Sequence, residues 1–124
     1  MCFYYFQQHD IVSDKVPEKF DLILTRHTLI HLFYNDIFQA LDQFVSSGSS
    51  YLLMTQESNQ VNTQVPKEVM GSHRGRSLNF FKPPFNLPAP ICIGKDTKEN
   101  AMYVMLYDMQ TLKTSLRDHN VLNI

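Results

Sequence analysis

The sequence predicts a single α/β domain in which parallel strands, joined through a helix, are followed by an antiparallel hairpin. Two short apolar segments without polar alternation, residues 22–24 and 51–54, are typical of strands buried on both faces of a parallel sheet. An amphipathic helical pattern separates these segments, as in a βαβ unit. Two more apolar runs, joined by polar turn residues, follow near the end of the chain and indicate the hairpin.

Length and composition fit one globular domain, with 124 residues, 44% of them hydrophobic and 19% charged. The net charge of -1 gives no general attraction to nucleic acid or to an anionic membrane, and neither is expected as a partner. No apolar run is long enough for a membrane span, and the first residues lack the basic region of a secretory signal. The two cysteines, Cys2 and Cys92, lie far apart in sequence, so we expect a reducing, cytoplasmic setting.

Three strands are predicted before the hairpin. The aromatic segment 3–8 has high β propensity and is predicted to be the first. Residues 21–25 form the second predicted strand and residues 50–55 the third. Arg26 and the residues after it then lie just beyond a strand end, which is where ligands bind in parallel sheets.

A helix is predicted over residues 36–46, between the second and third strands. Its apolar residues fall at i, i+3, i+4, i+7 and i+8, a single stripe on a helix: Ile37, Ala40, Leu41, Phe44 and Val45. Asp36 and Gln39 have the spacing of a capping box, and Gly48 is the expected stop. The crossover between the two parallel strands is expected to be right-handed.

The rest of the chain is predicted to hold a long loop and the hairpin. Residues 58–90 are rich in proline and contain basic residues, which is typical of a loop on the substrate side of a site. Residues 91–94 and 101–108 form the predicted hairpin. The domain is therefore placed at residues 1–110, and residues 111–124 are interpreted as a tail that lacks a clear apolar stripe.

Four short motifs follow one another along the chain: Asp10-Ile11, residues 21–32 (DLILTRHTLIHL), residues 76–79 (RSLN) and residues 83–90 (PPFNLPAP). Their order is similar to that in a subgroup of small methyltransferases. No single motif is specific, but together they resemble the second half of a class I S-adenosylmethionine-dependent methyltransferase. The resemblance implies a Rossmann-like sheet, S-adenosylmethionine as cofactor, and methyl transfer to a small-molecule or protein acceptor that the residues do not identify.

The sequence departs from that family in the parts that hold most of the cofactor. No GxGxxG-like stretch occurs, although Gly-rich turns and acidic strand ends bind the cofactor in related nucleotide folds. The chain is therefore interpreted as a domain truncated at its N-terminus, which is either a fragment, a truncated gene product or a degenerate paralogue. As it stands, it is expected to bind the cofactor weakly or not at all. The alternative is a non-catalytic, methyltransferase-like interaction module. The missing strands would leave an open sheet edge, a route to self-association.

Four residues are assigned by the resemblance to the cofactor side. Asp10 would accept a hydrogen bond from the adenine amino group, and Ile11 would offer its backbone amide. The alternative for Asp10 is a turn residue that caps the next segment. Arg26 would lie beside the methionine end of the cofactor or the substrate, where a guanidinium can hold a carboxylate through two parallel bonds, unless it forms only a surface salt bridge. His27 follows directly and is assigned to the same side.

The spacing of His27 and His31 would place two imidazoles on one face of a helix, as in a zinc site. The zinc-protease pattern also needs a glutamate after the first histidine and a third ligand. Here Thr28 follows His27 and no third ligand is evident, so no metal is expected. His31 is expected to pack or to form a structural hydrogen bond.

The substrate side is assigned to Glu57, Arg76 and Asn79. Glu57 comes just after the third predicted strand and either faces the crevice or begins a solvated loop. Arg76 and Asn79 either anchor the loop over the site and touch the substrate, or pin the loop to the domain. Methyl transfer needs a general base only when the acceptor must lose a proton, and His27, His73 and Glu57 are weak candidates. No catalytic residue is therefore assigned.

Overall fold

The computed structural model describes residues 3–57, 62, 76–96 and 102–122, with side chains up to residue 118. Within these ranges, a four-stranded mixed sheet has the strand order β1-β2-β4-β3. The strands are β1 (Leu22–Thr25), β2 (Tyr51–Glu57), β3 (Cys92–Lys95) and β4 (Met102–Asp108). β1 runs parallel to β2, and β4 runs antiparallel to both β2 and β3. The predicted α/β class, the parallel pair and the antiparallel hairpin are confirmed.

The first helix, α1 (Tyr34–Ser46), begins two residues before its predicted start. Its N-cap is Phe33, whose carbonyl accepts a hydrogen bond from the Ile37 amide at 2.9 Å. The predicted capping box is therefore wrong, because Asp36 lies inside the first turn, where its charge still favours the helix dipole. Gly48 has a φ of 78° and follows the helix end as predicted, since glycine adopts this left-handed conformation without steric cost.

The hydrophobic core lies on one face of the sheet, where the predicted apolar stripe of α1 is buried. Alternate residues of the two central strands supply the sheet side of the core: Leu52, Met54, Met105 and Tyr107, all fully buried. Segment 76–90, which forms no helix or strand, adds Leu78, Phe80, Phe85 and Leu87. Most of the predicted 58–90 loop, including His73, lies outside the described residues.

The second helix, α2 (Met109–Leu122), replaces the predicted tail. It begins directly after β4, and the Asp108 carboxylate accepts hydrogen bonds from the amides of Gln110 and Thr111 at 2.8 and 3.1 Å. Such a cap satisfies amides that have no partner within the first turn. One narrow stripe of the helix is buried in the core: Met109, Leu112 and Leu116. The described part of the tail therefore belongs to the domain.

The strand predicted at residues 3–8 is wrong, because these residues are exposed and form no strand. Aromatic residues raise β propensity, but a strand also needs a partner with which to form hydrogen bonds. The described sheet therefore contains one pair of neighbouring parallel strands, β1 and β2, and β1 is an edge strand. Leu22 and Leu24 are 48% and 59% exposed, so the expected burial of β1 on both faces is also wrong.

Candidate functional site

Polar residues lie along the border of the sheet at which β1, β2 and β3 have their carboxyl ends. This border runs across the strand ends and is distinct from the lateral edges formed by β1 and β3. The three strands run in the same direction, because β4 is antiparallel to both of its neighbours. Arg26 and His27 follow β1, Glu57 ends β2, and Asp96 follows β3. We call these four residues the polar edge. In α/β sheets, ligands bind beyond the carboxyl ends of the strands.

Asp96 brings two of the predicted cofactor residues together. Arg26 Nη2 donates a hydrogen bond to Asp96 Oδ2 at 2.9 Å, and His27 Nε2 lies 3.5 Å from the same oxygen. The Arg26 side chain is 53% exposed and that of Asp96 only 14%. β1 and β3 are opposite edges of the sheet, so this contact spans the ends of the two central strands. The salt-bridge alternative for Arg26 is therefore observed, with a partner that the sequence did not single out.

The backbone of His27 adopts a left-handed conformation with a φ of 55°. This conformation costs a non-glycine residue about 1–2 kcal/mol. Two hydrogen bonds hold the turn: the His27 amide donates to the buried Thr55 hydroxyl at 3.0 Å, and the Thr28 hydroxyl donates to the Arg26 carbonyl at 3.1 Å. The neighbouring strand β2 therefore fixes the direction in which the chain leaves β1.

The two histidines of the HxxxH motif do not share a helical face. Leu29–His31 is a short 3₁₀ helix, and His27 lies before it in the left-handed turn. The His31 side chain is exposed, so the expectation that it packs is wrong. No group of three His, Cys, Asp or Glu residues could hold a metal ion in the part of the chain that the structure describes.

Asp10 caps a turn. Its Oδ1 accepts hydrogen bonds from the amides of Val12 and Ser13 at 2.9 and 3.4 Å, and its own amide donates to Asp14 Oδ2 at 2.9 Å. The hydrogen bond from the Val12 amide, followed by those from Ser13, lowers the pKa of the Asp10 carboxyl. The turn role that the sequence allowed for Asp10 is therefore observed. The carboxylate remains at the surface and ionised at neutral pH.

An open cleft adjoins this turn. It has a volume of about 660 Å³, and its lining includes Asp10 and Ile11 on one side and Thr28 and Leu32 from the chain after β1. Ile11 is half-buried and packs against the core, which fixes the position of its backbone. This volume falls within the range of about 300–1,000 Å³ that is usual for ligand pockets. The structure thus places two of the four predicted cofactor residues in one cleft.

Arg76 anchors segment 76–90 to the chain between β1 and α1. Its Nη1 donates a hydrogen bond to the Ile30 carbonyl at 2.6 Å, and its guanidinium carbon lies 5.4 Å from the centroid of the Tyr34 ring. Burial lowers the pKa of Arg76 and raises that of Tyr34. These contacts are those of a residue that pins the loop to the domain.

Asn79 is buried in a network of amides. Its Oδ1 accepts hydrogen bonds from Gln56 Nε2 at 3.2 Å and from the Phe81 amide at 3.0 Å. Gln56 Oε1 in turn accepts a hydrogen bond from the Phe80 amide at 2.7 Å. The Asn62 side chain donates to the carbonyl of Asn79 at 2.8 Å and accepts from its amide at 2.7 Å. Asn79 therefore holds the loop, and sequence reasoning missed both of its amide partners.

Glu57 connects the polar edge to this loop. It is half-buried at the end of β2, and its amide donates a hydrogen bond to the Leu78 carbonyl at 3.1 Å. The next described residues, Asn79 and Phe80, continue the contact with β2 through the Gln56 side chain. Segment 76–90 thus lies against the end of β2 at the edge where a ligand site is predicted.

In comparisons with known proteins, no family model, curated protein or solved structure matches the chain. The methyltransferase resemblance therefore rests on the motifs of the sequence alone. Of the helices in the described ranges, none has the length and apolar character that crossing a membrane requires.

Proposed function

We propose that this chain forms the adenine side of an S-adenosylmethionine-dependent methyltransferase site, and that the reaction of this site is methyl transfer to an unidentified acceptor. The observation that carries the proposal is the cleft beside Asp10 and Ile11. An ionised carboxylate is an acceptor only, which suits the amino group of adenine. Ile11 lines the same cleft and packs against the core.

The sheet supports the same proposal. A parallel pair followed by an antiparallel hairpin is compatible with the C-terminal part of a Rossmann-like methyltransferase sheet. The predicted polar groups follow the strand ends at which such sheets bind their ligands. Arg26, His27 and Glu57 all lie at that edge.

The fit of the cofactor is good at one end and poor at the other. Asp10 and Ile11 border a cleft of suitable size for the adenine. Arg26 already donates to Asp96, so a carboxylate could bind the guanidinium fully only by displacing that side chain. The sequence also contains no GxGxxG-like stretch of the kind that would bind the methionine portion. We therefore expect weak binding through the adenine alone.

The protein has a limited chemical task in such a reaction. The cofactor, when bound, supplies the activated methyl group, so the chain has to orient two reactants rather than activate a nucleophile. His27 and Glu57 lie at the polar edge, where a group that removes a proton from the acceptor would be needed. Arg76 and Asn79 support this edge from outside, by fixing segment 76–90.

A nuclear magnetic resonance titration with adenosine tests the adenine site. We expect adenosine at millimolar concentration to shift the amide signals of Ile11, Thr28 and Leu32, because these residues border the cleft. Asp10→Asn should weaken these shifts, since an amide nitrogen replaces one of the acceptor oxygens.

The matched control is Asp14→Asn, which changes the acceptor for the Asp10 amide and leaves the Asp10 carboxylate in place. It should preserve the response to adenosine. Absence of any shift at Ile11 would refute the site. An equal loss in both variants would show that the turn, rather than the carboxylate, matters.

A second function is favoured by a different observation. In the part of the chain that the structure describes, no strand pairs with the outer side of β1, which carries two exposed leucines, Leu22 and Leu24. Exposed apolar edges pair readily with other strands, as expected of a non-catalytic interaction module.

A further inference from the structure

We propose that Arg26 and His27 form a binding site for a carboxylate, and that the Asp96 side chain occupies this site until a free carboxylate displaces it. Asp96 is then an internal substitute for a ligand. The inference goes beyond the proposed methyl transfer and does not depend on it, because it rests only on the contacts of these three residues and their supports.

Two donors from neighbouring residues converge on one oxygen of Asp96. Arg26 Nη2 donates a hydrogen bond to Asp96 Oδ2 at 2.9 Å, and His27 Nε2 lies 3.5 Å from the same atom. A guanidinium has donors only, and an imidazole that carries its proton on Nε2 donates beside it. The two side chains therefore select an anionic acceptor, and the chain's own carboxylate already fills the position.

Asp96 uses only part of what the guanidinium offers. Between these two described side chains there is a single hydrogen bond, from Nη2 to Oδ2. A guanidinium can hold a carboxylate through two parallel hydrogen bonds, which is the stronger arrangement. The Arg26 side chain is 53% exposed, so a free carboxylate can reach it from solvent. Such a ligand can align with both donors and form a contact that Asp96 does not make.

Contacts that do not involve Asp96 hold the two donor residues. The His27 amide donates to the Thr55 hydroxyl at 3.0 Å, and the Thr28 hydroxyl donates to the Arg26 carbonyl at 3.1 Å. The backbone that carries both donors therefore keeps its position when Asp96 leaves. A site that is ordered before its ligand arrives loses less entropy on binding.

The Asp96 side chain can leave without opening the hairpin. The Asp96 amide donates a hydrogen bond to the Met102 carbonyl at 3.0 Å, directly beyond the last paired residues of β3 and β4, Lys95 and Tyr103. This backbone contact does not use the carboxylate. Exchange of Asp96 for a ligand therefore needs only rotation of one side chain.

The site adjoins space for the rest of a small acid. Thr28, which bonds to the Arg26 backbone, also lines the open cleft of about 660 Å³. Glu57 is the other carboxylate of the polar edge, and no ion pair between described residues joins it to Arg26 or His27. Among the described residues, Asp96 is therefore the carboxylate that competes with a ligand.

A nuclear magnetic resonance titration with sodium acetate tests the exchange. The ionic strength is kept constant with sodium chloride, and the His27 amide and the Arg26 side-chain N–H signals are followed. Asp96→Ala should lower the dissociation constant for acetate about two- to sixfold, the range that follows from the usual strength of an exposed ion pair. Asp96→Asn should give a smaller gain, because its amide oxygen still accepts from Arg26.

Two control variants separate the site from a general effect of charge. Asp21→Ala removes the same charge from an exposed position at the other end of β1 and should leave the affinity for acetate unchanged. Arg26→Lys, combined with Asp96→Ala, keeps the positive charge but lacks the two parallel donors, so it should lose the gain.

The outcomes decide between the alternatives. Equal affinity for acetate in the unmodified chain and in Asp96→Ala would overturn the proposal, and so would an equal gain in Asp21→Ala. The same shifts with chloride alone would show that any anion suffices and would overturn carboxylate recognition. A tri-alanine peptide with a free carboxyl terminus identifies the source of the carboxylate: affinity equal to that of acetate supports a small acid, and tighter binding supports a chain terminus.

Discussion

At the level of single residues, two side chains assigned to the substrate side form hydrogen bonds within the chain. Arg76 donates to the Ile30 carbonyl, and the side chain of Asn79 accepts from Gln56 and from the Phe81 amide. Both residues therefore determine where segment 76–90 lies. Their effect on a ligand would be indirect, through the position of that segment against the end of β2.

Asn79→Ala should lower the free energy of unfolding by about 1–3 kcal/mol, because it leaves the Gln56 amide and the Phe81 amide without their buried acceptor. Urea unfolding followed by circular dichroism measures this change. Asn35→Ala, which removes the same chemical group from an exposed position on α1, should stay within about 0.5 kcal/mol of the unmodified chain. A loss at Asn79 no larger than that at Asn35 would contradict the structural role.

The cofactor-side residues show which contacts a sequence can predict. The turn at Asp10 is local, because its hydrogen-bond partners Val12, Ser13 and Asp14 are near neighbours in sequence. Aspartate often caps such turns, so the residue type predicted this role. The partner of Arg26 lies 70 positions away in a polar turn that carries no motif. Only the strand order brings Asp96 to the same edge, and no local pattern encodes that order.

At the level of elements, periodicity predicted α1, β2 and the hairpin well. Each of them has a strong pattern of its own, either an apolar stripe or a pair of apolar runs around a turn. Two of the errors, the strand predicted at residues 3–8 and the tail that is in fact α2, arise where the sequence pattern and the environment disagree. Residues 3–8 have the composition of a strand but no partner strand, and α2 has a buried stripe only one residue wide, as Met109, Leu112 and Leu116 show.

The packing of α2 can be tested by one buried residue. Leu112→Ala should lower the free energy of unfolding by about 2–5 kcal/mol, because truncating this fully buried side chain leaves a cavity in the core. Thr111→Ala, at the adjacent exposed position, should change it by about 0.5 kcal/mol or less. Urea unfolding of both variants checks this. A similar small effect at both positions would show that the helix does not pack on the domain.

At the level of the whole molecule, the described fold presents two features with different roles. The polar edge and the cleft at Asp10 lie beyond the carboxyl ends of the strands, where a ligand site is proposed. No strand among the described residues pairs with the outer side of β1, which carries the exposed Leu22 and Leu24 and supports the alternative of an interaction module. The residues concerned are largely separate, so each proposed function can fail without the other.

Calorimetric titration of the chain with S-adenosylmethionine and with S-adenosylhomocysteine tests the central claim most directly. The claim is that this chain holds the adenine side of a cofactor site and lacks the Gly-rich turn that would hold the remainder. The account predicts no saturable heat at micromolar concentrations of either compound, together with the local response to millimolar adenosine at Ile11. A micromolar dissociation constant for either compound would contradict it.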